Sequence, residues 1–332
     1  MAHALSLETV TVAFGDYTVV ASTDLHVEQG EFVSVVGPTG CGKSTLLNLA
    51  AGLRAPNTGV VRVGGVPLRG LNRQAGYLFQ GESLMPWRTA RDNVAAGPEF
   101  SGQSRAAARA AADAWLGRVG LTGHGAKYPH QMSGGMRKRA QLAQTLVMDP
   151  PILLMDEPFS ALDVQTRLMM ENELLRLWES GSATARERTD GSGSAGARER
   201  STSGSATARE RTDGSGSAGA SERSTSGSAT ARERPDGSGS AVAREYDVGN
   251  GAKKSVLFIT HDLEEAISLS DRVIVLSAGP ATTPIAEFAI DLPRPRDVAE
   301  IRLTPAFQHL QEQIWSVLRA EVLRAYQAGL AA

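Results

Sequence analysis

The chain has 332 residues, room for one large domain with additions or for two smaller ones. An apolar share of 41% is enough for a sizeable core, and a net charge of −2 leaves no basic excess to neutralise a nucleic acid. No run approaches the roughly 18 apolar residues of a membrane span, no leader-like start is present, and the single cysteine, Cys41, excludes an internal disulfide, so a cytosolic chain is expected.

From the start, Leu5, Leu7, Val10, Val12 and Phe14 alternate with polar residues, the pattern of a half-buried strand. A short second strand is expected at Leu25–Val27, then a turn at Gln29-Gly30 and a third strand, Phe32-Val33-Ser34-Val35-Val36. This one feeds Gly37-Pro38-Thr39-Gly40-Cys41-Gly42-Lys43-Ser44-Thr45, and the apolar run Leu46–Ala51 behind it reads as a helix. Strand, glycine-rich turn, helix is the setting in which G-x-x-x-x-G-K-[ST] cradles phosphates. The glycines let backbone N–H groups turn inward, and the helix N-terminus adds positive potential. Lys43 is placed to reach the β- and γ-phosphates, and Ser44 to offer its hydroxyl to Mg²⁺. Cys41 is either a thiol acidified near a helix N-terminus or, the preferred reading, a small residue filling a loop position.

Further strands are expected at Val60–Val63 and at Gly76-Tyr77-Leu78-Phe79, ending in Gln80. Helices are expected over Ser104–Val119 and Met136–Met148, the second stopped by Pro150-Pro151. The run Ile152-Leu153-Leu154-Met155 reads as a buried parallel strand ending in Asp156-Glu157. Order resumes near Lys253 with a strand over Ser255–Thr260 that ends in His261-Asp262. A helix at Leu263–Leu269 and a strand at Arg272–Leu276 come next. In the tail, Phe307, Leu310, Ile314, Val317, Leu318 and Val322 keep helical spacing on one apolar face, read as a helix packed on the core.

Between these parts, GSATARERTDGSGSAGARERSTS begins at Gly181, returns almost unaltered at Gly204 and begins again at Gly227, a period of 23. Stacked repeats of that period need apolar faces. These units offer almost no apolar side chain larger than alanine, and ten arginines balance ten acids between Gly181 and Asp247. A solvated insert over about 180–252, without packed structure, is expected.

Strands alternating with helices predict a mostly parallel sheet with its ligand at the strand C-termini. Three strand ends carry side chains suited to a Mg²⁺–triphosphate. Asp156 is placed to hold the metal shell with Ser44, and Glu157 to act as general base on a water. Gln80 is placed as a neutral ligand to metal or water, and His261 as a contact to the γ-phosphate. Ser133-Gly134-Gly135 opens a helix as a second anion-ready start. One triphosphate has no use for two cradles in one chain, whereas a head-to-tail dimer does.

This set resembles the ATP-binding cassette (ABC) ATPases. GPTGCGKST is similar to Walker A and ILLMDE to Walker B. SGGMRKR resembles the signature motif, Ser160-Ala161-Leu162-Asp163 the D-loop, Gln80 the Q-loop and His261 the switch histidine. Met132 stands where the signature usually has leucine, a volume-conserving change expected to matter little. Asp163 and His261 lie 98 positions apart; removing three repeats (3 × 23 = 69) leaves 29, about what the family allows.

The resemblance implies a P-loop α/β fold: a mostly parallel core sheet, an antiparallel β subdomain and a helical subdomain. It implies an ATPase domain over 1–290, with the helical subdomain at about 86–148, and a helical extension over 291–332. It implies ATP and Mg²⁺, with Phe14, 23 residues before Gly37, stacking on adenine; Tyr17 is the second candidate, and an aromatic core residue is the plain alternative for both. Phe79-Gln80 with Leu84-Met85-Pro86-Trp87, and Gly279-Pro280 with Pro293-Arg294-Pro295-Arg296, resemble the ATPases of nitrate, sulfonate/taurine and bicarbonate-type importers. That implies a motor subunit on the cytoplasmic face of the membrane, paired with a second copy or another ATPase subunit. Its partners would be permease subunits and, indirectly, a periplasmic or lipoprotein solute-binding protein, with no nucleic acid. Trp87 then lies near the permease contact or is buried. A soluble cassette protein uncoupled from transport, or a nucleotide-binding regulator without hydrolysis, are the other readings; intact Glu157 and His261 oppose the second.

Overall fold

Continuous apolar runs and alternating ones end in different sheets. In the computed structural model, which describes residues 3–179 and 253–331, the strands are β1 (Leu5–Phe14), β2 (Tyr17–Val27), β3 (Phe32–Val36), β4 (Thr58–Val63), β5 (Val66–Pro67), β6 (Ala75–Leu78), β7 (Ile152–Asp156), β8 (Ser255–Ile259), β9 (Arg272–Leu276) and β10 (Pro284–Ala289). The helices are α1 (Lys43–Ala50), α2 (Ala90–Phe100), α3 (Arg105–Arg118), α4 (Gly134–Leu146), α5 (Val164–Glu179), α6 (Leu263–Leu269), α7 (Val298–Ile301) and α8 (Pro305–Ala331). The 23-residue repeats lie outside the described residues.

β3, β7 and β8 are buried at every position. They sit inside a six-stranded sheet of order β10-β9-β3-β8-β7-β6, parallel except for β10. Strands covered on both faces have no polar side to show, which is why these runs do not alternate. Successive side chains still point to opposite faces. Leu153, Met155, Val256 and Phe258 pack with α2 to α5 on one face, while Ile152, Leu154, Leu257 and Ile259 pack with α1 on the other. Each such fully buried side chain contributes about 1.5–3 kcal/mol. Beyond α1 lies the antiparallel sheet β2-β1-β4-β5, whose inward residues Leu5, Leu7, Val10 and Val12 close the same core.

Several expectations are corrected. The second strand is not a short piece at Leu25–Val27: β2 runs from Tyr17, because pairing with β1 carries Tyr17 to Val27 across polar positions. β6 stops at Leu78, so Gln80 lies two residues past the strand rather than at its end. α2 and β10 were not individually expected, while α5 is the helix expected just before the insert. Gly97 and Pro98 argue locally against α2; in the fold Gly97 lets the Met148 side chain lie close against this helix, 2.4 Å from where a Cβ would sit. On α8, Phe307, Ile314 and Leu318 face the core, but Val322 is 37% exposed. The next inward position is taken by Glu321, 4% exposed, which accepts a 2.8 Å hydrogen bond from the Ala278 N–H.

Glu171 of α5 is fully buried and paired with Arg302 at 2.9 Å. That pair alone would lower its pKa, but burial outweighs it and, with Glu265 and Asp262 adding to the rise, pushes the carboxyl up to about 7 against Arg302 and Arg167. From pH 4.5 to 7 the unfolded chain ionises here while the folded one does not, so Glu171 removes stability across that window and no more above it. Accordingly, Glu171→Gln gains about 3 kcal/mol relative to the parent between pH 4.5 and pH 7.5. Urea unfolding of both proteins at the two pH values checks this, and a difference independent of pH contradicts it.

Candidate active site

The phosphate-binding sequence folds as β3, a loop, then α1. Gly42, just before α1, has φ 103°, and a Cβ there would lie 2.9 Å from Val19 Cγ1. A Cβ on Gly37 would lie 3.0 Å from Cys41 Sγ and 3.1 Å from Leu276 Cβ. Gly42 therefore needs glycine, Gly37 leaves little room for a side chain, and the loop wraps tightly over β9 and β2. Cys41 is buried, and burial raises its thiol rather than acidifying it, so it is a filler. Thr39, Gly40 and Ser44 are exposed at the loop's outer rim. Lys43 is buried, its Nζ donating to the Gly37 and Pro38 carbonyls at 2.8 Å each. No acidic residue occupies the first turn of α1, so the helix's N-terminal partial charge is not offset by its own side chains. Glycine where a Cβ would clash, a lysine held at the loop's centre and an uncompensated helix start fit a polyphosphate.

Asp156 closes β7 beside this loop. Burial and then Glu157 push the Asp156 carboxyl upward, against the nearby Ser44 hydroxyl, Lys43 and Lys138. A hydroxyl near a buried carboxylate beside the phosphate cradle is a hard-oxygen donor set, which suits Mg²⁺.

Glu157 has φ 46°, a strained conformation for a residue with a side chain. Its N–H donates to the Ile259 carbonyl at 2.9 Å, which pins the turn to the end of β8. Gln80 Nε2 donates to Glu157 Oε2 at 3.1 Å, and His261 Nδ1 lies 3.3 Å from the same oxygen. Three side chains from three chain segments thus converge at the C-terminal edge of adjacent parallel strands. Behind His261, Asp262 caps α6 and pairs at 3.2 Å with Arg167 of α5, the helix whose start is capped by Asp163.

Ser133 caps α4, its hydroxyl accepting from the Met136 N–H at 3.3 Å. Ser133 and Gly134 are exposed, and a Cβ on Gly134 would meet nothing within 4 Å, so this helix start opens outward. Met132 is buried in the main core, where its volume substitutes for a leucine. Phe14 and Tyr17 pair across the β1–β2 turn and are 53% and 55% exposed, so neither is a core residue. The Arg54 guanidinium lies 3.8 Å over the Phe14 ring centroid. Trp87 is 74% exposed, which removes the buried alternative.

Sequence reasoning missed two side chains here. Arg54 carried no local signal. Lys138 lies in Arg137-Lys138-Arg139, where the sequence assigned it no role of its own, yet it is only 6% exposed and its Nζ donates to the Phe79 and Gln80 carbonyls at 2.9 and 3.0 Å.

A glycine-bound phosphate loop with a carboxylate pair at the strand ends beside it defines a nucleotide-hydrolysing P-loop protein. Comparison with known proteins narrows the class. A family profile described as "ABC transporter" matches residues 20–160. The chain is 31% identical to the nitrate import ATP-binding protein NrtD of Synechococcus elongatus, covering 90% of this chain and 84% of that one. It is 33% identical to the aliphatic sulfonates import ATP-binding protein SsuB 2 of Burkholderia lata, over 93% of this chain and 88% of that one. Among solved structures, the dimeric ATP-binding cassette MJ0796 in a post-hydrolysis state with ADP and Pi matches its fold. The TM-score is 0.59 at 23% identity, over 87% of this chain and all of that one. The chain belongs to the ABC transporter ATP-binding family, whose members bind and hydrolyse ATP.

Proposed function

We propose that this chain is the motor subunit of an importer for a small anion of the nitrate or sulfonate kind. The observation that carries the chemical half of this reading is the meeting of Gln80, Glu157 and His261 beside the phosphate loop. In the proposed reaction, residues 37–45 grip the triphosphate, with Lys43 moving its donors from the Gly37 and Pro38 carbonyls to phosphate oxygens. Ser44, Gln80 and Asp156 would hold Mg²⁺, which would supply charge neutralisation for the phosphates. Both contacts to Glu157 fall on Oε2, leaving Oε1 to orient a water. As that water attacks the γ-phosphorus its proton passes to Glu157, and the bond to the β–γ bridging oxygen breaks. His261, free to turn at the edge of β8, contacts the γ-phosphate. Phe14, with Arg54 on one side, provides the stacking surface for adenine.

Ser133, Gly134 and Gly135 face away from their own chain's loop in this reading. They close over the nucleotide of a second copy, so that ATP joins two protomers and hydrolysis releases them. Trp87 and Tyr128, both exposed, line a cleft of about 480 Å³ with Arg88 and Glu99. An exposed aromatic rim with mixed charge suits a helix end from a membrane partner. Among the described residues no helix is long and apolar enough to cross a membrane, and the proposed location is the cytoplasmic face, held there by permease subunits. The domain reading is proposed likewise: ATPase domain 1–290, helical part about 86–148, extension 291–332.

Purification from a detergent extract of native membranes tests this. A permease should co-purify, and reconstituted vesicles should accumulate nitrate or a sulfonate when ATP is supplied on this subunit's side. ATP hydrolysis by a chain that never associates with a membrane protein would instead favour a soluble cassette protein.

A further inference from the structure

We propose that Lys138 is a positioning residue for hydrolysis: from helix α4 it holds the backbone at Phe79 and Gln80 so that the Gln80 carboxamide meets Glu157. This inference rests on the roles proposed for Gln80 and Glu157.

Lys138 is 6% exposed, and its ammonium gives two of its three protons to consecutive carbonyls, Phe79 O at 2.9 Å and Gln80 O at 3.0 Å. A cation so deeply placed is costly unless paired or hydrogen-bonded. Burial lowers its pKa, and the nearby Asp156 and Glu157 carboxylates oppose that shift. Two donor contacts on neighbouring peptides fix the torsions between them, and the Gln80 side chain leaves from that point toward Glu157 Oε2, 3.1 Å away.

Lys138 is part of a wider grip. One helical turn further on, Gln141 Nε2 donates to the Gly81 carbonyl at 3.0 Å and to Ser83 Oγ at 3.2 Å, and Arg137 Nε donates to Glu82 Oε1 at 2.6 Å. Residues 137, 138 and 141 lie on one side of α4, as helical spacing requires, and together they hold residues 79–83 from end to end. The same helix begins at Gly134, with Ser133 as its cap. A shift of the Ser133–Gly135 start therefore moves the Gln80 peptide with it, which links closure over a second protomer's nucleotide to the Glu157 water. Of these contacts Lys138 is the one that touches Gln80 itself, while Gln141 and Arg137 hold Gly81, Glu82 and Ser83.

The test is a double-mutant cycle on the full-length chain, with Lys138→Met, Gln80→Ala and both together, read by steady-state ATP hydrolysis and by equilibrium binding of Mg²⁺–ATP. Lys138→Met should lower kcat about 10- to 100-fold with less than about a threefold change in ATP affinity, the size expected for a misplaced group of about 1 Å. In the Gln80→Ala background the same change should lower kcat by less than about twofold, because a residue acting through Gln80 has nothing left to position. Amide hydrogen exchange over residues 79–83, measured without nucleotide, should speed up about tenfold or more in Lys138→Met. Lys138→Arg, which keeps charge and donors, should restore most of the rate.

If Lys138→Met does not fold, Lys138→Gln, neutral and shorter, serves in the same cycle. Independent losses that multiply in the double variant, or unchanged exchange over 79–83, overturn the inference while leaving the Gln80 assignment standing. Full activity in Gln80→Ala alone overturns that assignment, and this inference with it.

Discussion

Glu157→Gln nearly abolishes steady-state ATP hydrolysis while ATP still binds, a loss of about 100-fold or more. The substitution keeps the shape of the side chain and its place at the end of β7, and so keeps the contacts to Gln80 and His261 within reach. What it removes is the oxygen pair that can take a proton from water. It also removes a negative charge facing the γ-phosphate, so binding should be retained or tightened. Because hydrolysis is the step that separates the protomers in the proposed cycle, the variant should accumulate as an ATP-bound dimer. Size-exclusion chromatography with ATP, beside a phosphate-release assay, reads both effects. Normal turnover in this variant removes Glu157 from the mechanism.

Ser133→Glu carries the second large effect. Losing the hydroxyl cap on α4 costs only about 1 kcal/mol, so the chain should still fold. A carboxylate at an outward-facing helix start, however, would oppose the phosphates of the nucleotide meant to dock there. Hydrolysis should fall about 100-fold, with ATP affinity of the isolated chain little altered, since Lys43 and its loop are untouched. Mixing makes the result decisive. Lys43→Ala is inactive for a different reason, having lost its donor to the phosphates. Equal amounts of the two variants form heterodimers in which one composite site has an intact Lys43 and an intact Ser133. Half the dimers would then carry one working site of two, and activity should return to about a quarter of the parent's. If Ser133 acts on its own chain's nucleotide, mixing restores nothing. Activity of a strictly monomeric Ser133→Glu at the parent rate contradicts the shared site altogether.

How far the chain could be read without its fold depended on the distance over which each feature is decided. Lys43, Ser44 and their glycines are one contiguous stretch whose backbone conformation is set by glycine at the crowded positions, so β3, loop and α1 were legible together. β7, β8 and β9 were legible because strands covered on both faces must be apolar throughout. Asp156 and His261 were legible with them, one ending its apolar run and the other lying two residues past its own. β2 was misjudged because Tyr17–Asp24 mixes polar and apolar residues, and only pairing with β1 makes it a strand. α2 was missed because Gly97 and Pro98 are locally unfavourable, and burial of Ala90, Val94 and Ala95 in the core outweighs them.

The sequence alone determined the phosphate loop, the carboxylate pair at Asp156-Glu157 and the cap at Ser133, because each is a short run whose chemistry is set by its immediate neighbours. Tertiary structure decided that Gln80, 77 residues from Glu157, reaches it. It also decided that Lys138 is buried within a basic run, and that α8 turns Glu321 rather than Val322 toward the core. These depend on which strands lie side by side and which helix covers them, and strand order β10-β9-β3-β8-β7-β6 is a property of the assembled core that no local pattern contains.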